Sequence, residues 1–132
     1  MTQTHAAGPF DVKVIPQKAD DTGEAGAFSR MFLDKYFHGD LEGPSKGQMM
    51  ATSVTAEGSG AYVALERVSG ALHGRRGSFV LMHNATMNRG VPAMNITVVP
   101  DSGTDELTGL QGRMLIVIEK GKHSYQFDYT LT

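Results

Sequence analysis

The stretch that predicts the fold is His123-Ser124-Tyr125-Gln126-Phe127-Asp128-Tyr129-Thr130-Leu131, near the end of the 132-residue chain. Its odd-numbered residues are bulky, whereas its even-numbered residues are small or polar. Because successive side chains of a β-strand point to opposite faces, this alternation is typical of a strand with one buried face. Phe10, Val12 and Val14 repeat the pattern against Asp11 and Lys13. Both ends of the chain are therefore predicted to be half-buried strands.

Glycine-rich clusters divide the rest of the chain into segments of similar length. Sixteen residues are glycine, which is well above the usual share of about 7%. Glycine, with Asn or Asp beside it, supplies the backbone conformations that tight turns need. The segments between the clusters are rich in β-branched and aromatic residues. We predict eight strands, near residues 9–16, 27–38, 46–57, 61–73, 77–88, 91–100, 112–119 and 122–131.

Long strands joined by short turns favour an all-β protein, an eight-stranded antiparallel up-and-down barrel. The predicted strands exceed the typical five or six residues, and closure into a barrel removes unpaired sheet edges. We expect a single barrel domain over residues 9–132 after a flexible N-terminus, residues 1–8. A helix start at Ser102 or Thr104 and a stop at Gly109 predict at most one short helix, near Thr104–Thr108.

Composition and charge argue against several classes of function. The net charge is −2 and the twelve Lys and Arg are scattered, so we expect no binding to nucleic acid. The absence of cysteine excludes disulfides, zinc-thiolate sites and thiol catalysis. No segment approaches the roughly 20 apolar residues of a membrane helix, and the N-terminus lacks a signal-peptide pattern. We expect a cytoplasmic protein with no membrane association.

Common catalytic motifs are also missing from the sequence. There is no P-loop, no Gly-x-Ser-x-Gly, no Gly-x-Gly-x-x-Gly and no His-Glu-x-x-His. The five histidines occur singly, without the spacing of metal ligands on one element. We therefore expect no metal site and no cofactor.

The turn around Gly74 and Arg75 leads to a candidate site. A tight loop there pairs His73 with Arg76, and the same register places Glu66 directly opposite His83 on an apolar face that we expect to point inward. A carboxylate and an imidazole in contact within an apolar setting can act as an acid/base couple near neutral pH. The structural alternative, a polar pair that maintains the register, is the favoured interpretation because structural ion pairs also perturb pKa values.

Four aromatic side chains are candidates for lining a ligand cavity: Tyr62, Phe79, Tyr125 and Tyr129. The chain also contains eight methionines, whose thioethers adapt to irregular apolar ligands. Filling of the core is the alternative explanation for both sets. An eight-stranded barrel has room for packed side chains or for one small ligand.

Two of the predicted strands are less polar on their outward faces than solvated strands should be. These strands lie near 46–57 and 91–100, and an exposed apolar patch commonly marks an interface. We therefore expect a homo-oligomer, most simply a two-fold dimer. The residues concerned are Met49, Met50, Val54, Met94, Ile96 and Val98.

Four collinear blocks resemble a bacterial family of unknown function whose structures are allene oxide cyclase-like β-barrels. The blocks are FHGDLEG (37–43), ALERVSG (64–70), GRRGSFVLMH (74–83) and VVPDSGTDELTGLQG (98–112). The resemblance implies the fold and not a reaction. Plant allene oxide cyclases bind an apolar fatty-acid epoxide inside such a barrel and guide its cyclisation, but none of their catalytic residues can be placed on this chain.

These observations support three functional hypotheses. The leading one is the binding of a small apolar molecule in the barrel interior. The alternative is a cofactor-independent isomerase or cyclase that acts in the same cavity through Glu66 and His83. The third is a self-associating structural barrel without a ligand.

Overall fold

The computed structural model describes residues 3–18, 28–54 and 57–132, and these form eight antiparallel strands that close into a barrel. Each strand pairs with the next one along the chain, and β8 pairs with β1. The predicted up-and-down barrel is therefore confirmed. The strands are β1 Thr4–Gln17, β2 Phe28–Phe37, β3 Leu41–Ser53, β4 Gly60–Leu72, β5 Arg75–Asn88, β6 Val91–Val98, β7 Gln111–Glu119 and β8 Lys122–Thr130.

β1 begins earlier than the alternation predicts. Its first part, from Thr4 to Phe10, pairs with β8, and Ala6 is fully buried. Ala6, Ala7, Gly8 and Pro9 have little β-propensity of their own, so this part of the strand depends on the neighbouring β8 for its partners. Residues 4–8 are thus part of the barrel wall. The predicted strand positions 27, 55 and 56 lie outside the described residues.

One end of the barrel is closed by the connection between β6 and β7. A single 3-10 turn, Asp105–Leu107, lies where the short helix is predicted. Leu107 and Leu110 are buried there, and the backbone N–H of Thr104 donates to the carbonyl of Ser78 at 2.9 Å. We call this the closed end. The core fills the half of the barrel next to it, with Phe37, Leu41, Leu72, Phe79, Phe127 and Tyr129 among its members.

The opposite end of the barrel, which we call the mouth, has no cover among residues 3–18, 28–54 and 57–132. β6 pairs with β5 along its whole length but with β7 only through Ile96–Met114 and Thr97–Arg113. Several side chains in inward-facing positions are exposed at this end, because no element in the described part of the chain covers them. They include Val14, Met87, Met94 and Ile118.

Candidate functional site

The hairpin between β4 and β5 positions both residues of the predicted pair. Its loop is His73-Gly74, with φ angles of 47° and 82°, as a two-residue hairpin turn of type I′ requires. Glu66 therefore pairs with Leu81, and His83 pairs with Ala64. The predicted direct pairing of Glu66 with His83 is wrong, because the loop starts one residue earlier than expected.

Glu66 and His83 nevertheless lie on the same face of the sheet. The register differs from the predicted one by two positions, and a shift of two leaves every side chain on its original face. The two residues are diagonal neighbours, a separation that long side chains can bridge. Both point into the barrel and are only 2% exposed.

Two further residues complete a buried polar group, which we call the Glu66 cluster: Lys35, Ser45, Glu66 and His83. The Ser45 hydroxyl donates to Glu66 Oε1 at 2.6 Å. Lys35 Nζ and the His83 Nε2–H both donate to Oε2, at 2.8 Å and 2.5 Å. The carboxylate therefore accepts three hydrogen bonds in a buried site, as a buried charge requires.

The electrostatics of the Glu66 cluster make Glu66 a stable anion. Burial raises the pKa of Glu66, but the hydrogen bond from His83 and the charge of Lys35 outweigh burial and lower this pKa to about 2. A carboxylate with so low a pKa is a weak proton acceptor. The arrangement therefore favours a structural role for Glu66 over a role as a general base. The role of His83 is a separate question.

His83 keeps one ring nitrogen free. Among the described residues, no group forms a hydrogen bond with Nδ1. The ring lies 6.3 Å from that of Tyr62, centroid to centroid. Because an imidazole with one nitrogen engaged can still accept or donate a proton at the other, His83 is the member of the cluster with unused chemistry.

A cavity of about 390 Å³ occupies the mouth above the Glu66 cluster. Tyr62 lies between the two, since it pairs with Ala51 and Ala85 in the row of residues next to His83. Burial and the charge of Glu66 raise the pKa of Tyr62, so its phenol is neutral. The cavity is lined mainly by inward-facing residues: Met49, Ala51, Gly60, Tyr62, Ala85, Met87, Pro92 and Met94.

The other three predicted aromatic residues lie in the closed half of the barrel, away from this cavity. Phe79 stacks on Phe127 with centroids 5.9 Å apart. The buried Tyr125 hydroxyl donates to the carbonyl of His38 at 2.7 Å and accepts from the backbone N–H of Leu41 at 2.8 Å. Tyr129 forms a hydrogen bond with His73 Nδ1 at 2.5 Å. In this structure all three contribute to packing at the closed end.

Lys35 and Ser45 are the site residues that sequence reasoning missed. Lys35 falls between Leu33 and Phe37 in the alternation of β2, so its position predicts an inward-facing charge. A charge in such a position needs a buried partner of opposite sign. That signal pointed to Glu66, the acidic residue on the apolar face of β4.

The residues on which the dimer prediction rests divide between the two faces. Met50 and Val54 are exposed on the outside, as predicted, whereas Met49, Met94, Ile96 and Val98 occupy inward-facing positions. Met94, Ile96 and Val98 alternate with Asn95 and Thr97, so the period-two pattern of β6 itself indicates that its apolar residues face inward.

The described residues contain no group of three or more His, Asp or Glu side chains arranged to hold a metal ion. In the same part of the chain, no helix has the length and hydropathy that a membrane crossing requires.

Comparison with known proteins gives a family but no activity. The model of a family described as "protein of unknown function (DUF3224)" matches residues 6–129. The crystal structure of a protein of unknown function from the DUF3224 family of Shewanella oneidensis MR-1 is similar, with a TM-score of 0.92 and 46% sequence identity over 99% of this chain and 98% of that one. No curated protein matches the chain.

Proposed function

The chain belongs to the DUF3224 family, whose function is unknown, and we propose that this member binds a small, neutral, mainly apolar molecule in the mouth of its barrel. The observation that carries the proposal is the cavity of about 390 Å³ at the mouth. This volume lies within the range of about 300–1,000 Å³ that ligand pockets occupy.

The lining of the cavity supports an apolar ligand. Three methionines contribute thioethers that adapt to ligands of irregular shape. The lining residues include no Asp, Glu, Lys, Arg or His, so a charged ligand would lose its hydration without gaining a partner of opposite charge. Neutral molecules therefore fit this cavity best.

Tyr62 supplies a polar contact within the cavity. Its neutral phenol can donate a hydrogen bond to a carbonyl oxygen or accept one from a hydroxyl group. Tyr62 is half-buried, with burial and the Glu66 charge both opposing its ionisation. A ligand with one carbonyl or hydroxyl group on an apolar skeleton would satisfy both Tyr62 and the methionines.

The test is titration of the protein with N-phenyl-1-naphthylamine, a neutral fluorophore that brightens in apolar surroundings. The variant Ala85→Phe places a ring in the cavity beside Tyr62, and we expect it to weaken binding at least tenfold. Ala71→Phe is the matched control, because Ala71 faces outward near the closed end, opposite Arg76. Absence of saturable binding, or equal binding by Ala85→Phe, would overturn the proposal.

The free nitrogen of His83 favours a second candidate function, a cofactor-independent isomerase or cyclase of the allene oxide cyclase-like kind. The imidazole lies directly below Tyr62, where it could exchange a proton with a ligand that reaches past that ring. The test is turnover of neutral epoxides and enones. We expect His83→Asn to abolish turnover while N-phenyl-1-naphthylamine binding persists, and a wild-type protein without turnover would leave only the binding function.

A further inference from the structure

A second concave site lies on the outer wall of the barrel. It is a groove of about 800 Å³ over β3, β4 and β5. Its floor contains two apolar cross-strand pairs in successive rows, Met50–Val63 and Leu65–Met82. These four side chains are between 43% and 56% exposed. Glu66 and His83 belong to the same strands, but their side chains point into the barrel.

Three cations among the described residues line this groove: Lys46, Arg67 and Arg30. Lys46 lies directly opposite Arg67 in the row next to Leu65, and Arg30 lies opposite Met50 on the β2 side. Like charges directly opposite each other on a sheet are destabilising. Asp34 forms an ion pair with Lys46 at 3.2 Å, whereas Arg67 has no carboxylate partner among the described residues.

Two of the three cations of the groove lie together at one end, whereas Arg30 lies at the other end, in the row of Met50 and Val63 on the β2 side. Arg67 and Lys46 lie at the end nearer the closed end of the barrel, and the apolar pairs extend from them toward the mouth. From Arg67 to Val63 the strand advances about 13 Å, at about 3.3 Å per residue. A ligand that matches this groove has an anionic head at one end and an apolar chain behind it.

We infer that the groove binds a single-chain amphipathic anion, with its head group at Lys46 and Arg67 and its alkyl chain along Leu65, Met82 and Val63. An anion between the two cations relieves their mutual repulsion, and the alkyl chain covers apolar side chains that are otherwise in water. This inference is independent of the proposed function, because the groove and the mouth cavity are separate sites and the described residues that line the mouth cavity include no cation.

Two other occupants fit the groove less well. A second copy docked face to face would bring Lys46, Arg67 and Arg30 against a surface of the same charge, and such a juxtaposition is unfavourable. A bilayer surface is flat, whereas this site is concave. A second copy or a bilayer would each give a different experimental result from a single-chain anion.

The experiment is isothermal titration calorimetry with decanoate below its micellar concentration. We expect one decanoate per chain and at least tenfold weaker binding by the double variant Lys46→Gln/Arg67→Gln. The matched control is Lys13→Gln/Lys122→Gln, which removes the same charge from exposed positions outside the groove. Circular dichroism melting verifies that each variant is folded.

The results distinguish binding in the groove from binding in the mouth cavity. They also distinguish an amphipathic anion from a second copy of the chain and from a bilayer. The control and the Ala85→Phe variant should bind decanoate like the wild type, even if binding of N-phenyl-1-naphthylamine in the mouth fails. Equal affinity for decyltrimethylammonium, or undiminished decanoate binding by Lys46→Gln/Arg67→Gln, would overturn the inference. A dimer that is seen in sedimentation velocity and dissociated by Leu65→Asn would support a second copy instead. Binding to phosphatidylglycerol vesicles without binding of monomeric decanoate would support a bilayer, and either result would overturn the inference.

Discussion

Lys35 and Glu66 form an ion pair inside the barrel, with Nζ 2.8 Å from Oε2 and side chains that are 5% and 0% exposed. Two features compensate the cost of burying these charges. The carboxylate has additional donors in Ser45 and His83, and the ammonium lies 5.1 Å from the ring centroid of Phe10. Such pairs are costly to break singly, since removal of one member leaves the other charged and buried.

Lys35→Met should destabilise the protein strongly. We expect a loss of about 3–5 kcal/mol in the free energy of unfolding, because Glu66 then lacks its nearest full positive charge. Urea denaturation measures the loss. The double variant Lys35→Met/Glu66→Leu removes both charges and should recover most of the stability, so a double variant as unstable as the single one would contradict the argument.

The stability that Glu66 contributes should depend on pH. Its pKa is lowered to about 2 in the folded protein from an ordinary value of 4.5. The folded state therefore binds this proton less readily than the unfolded state, and the stabilisation is present above about pH 4.5 and is lost as the pH falls toward 2. Thermal melting of the wild type and of Glu66→Gln checks this. The difference in Tm between them should shrink across that interval, and a constant difference would count against an ionised Glu66.

Gly47→Ala should disturb the Glu66 cluster through the backbone. Gly47 lies opposite Glu66, and an added Cβ would be 2.3 Å from the carbonyl oxygen of Leu65 and 2.7 Å from the Cβ of Glu66. Since β3 cannot move away without loss of its pairing with β4, we expect a cost of about 3 kcal/mol or more.

Gly74→Ala is the comparison for that variant. A Cβ on Gly74 would meet nothing within 4 Å, so only its positive φ of 82° opposes the change, at about 1–2 kcal/mol. Equal costs for Gly47→Ala and Gly74→Ala in chemical denaturation would show that close packing between β3 and β4 is unimportant.

Tyr62→Phe should change the selectivity of the mouth cavity without closing it. Loss of the hydroxyl should weaken ligands that carry a carbonyl or hydroxyl group by about 1 kcal/mol or somewhat more. Binding of N-phenyl-1-naphthylamine should hardly change. Competition titrations with matched pairs of ketones and hydrocarbons measure the effect, and an equal loss for both members of a pair would mean that Tyr62 contributes only shape.

The separation of β6 from β7 at the mouth predicts uneven hydrogen exchange. In β6, backbone amides between Val91 and Asn95 should exchange faster than those between Ile96 and Val98, because only the latter part of the strand has β7 as a partner. Mass spectrometry of overlapping peptides resolves the two halves. Uniform protection along β6 would indicate that the mouth is closed in solution.

Local features of the sequence predicted the barrel architecture and the side chains that face its interior. Regular glycine turns and period-two alternation predicted eight antiparallel strands, and they placed Glu66 and His83 on one inward face. Those features are local, since they depend on turn chemistry and on the alternation of side chains along a strand. A register error of two positions left the faces intact, so the pair was found although its direct pairing was wrong.

The contacts of Glu66 and His83, and the place where a ligand could enter, depend on the tertiary structure. Lys35 comes from β2 and Ser45 from β3, and the closure of the barrel brings them to Glu66. Tyr62, Phe79, Tyr125 and Tyr129 share the same inward pattern, yet the 3-10 turn covers one end of the barrel, and of these four residues Tyr62 lines the mouth cavity. The physical reason is that periodicity encodes the face of a side chain, whereas its depth in the barrel depends on strand stagger and on contacts between distant segments.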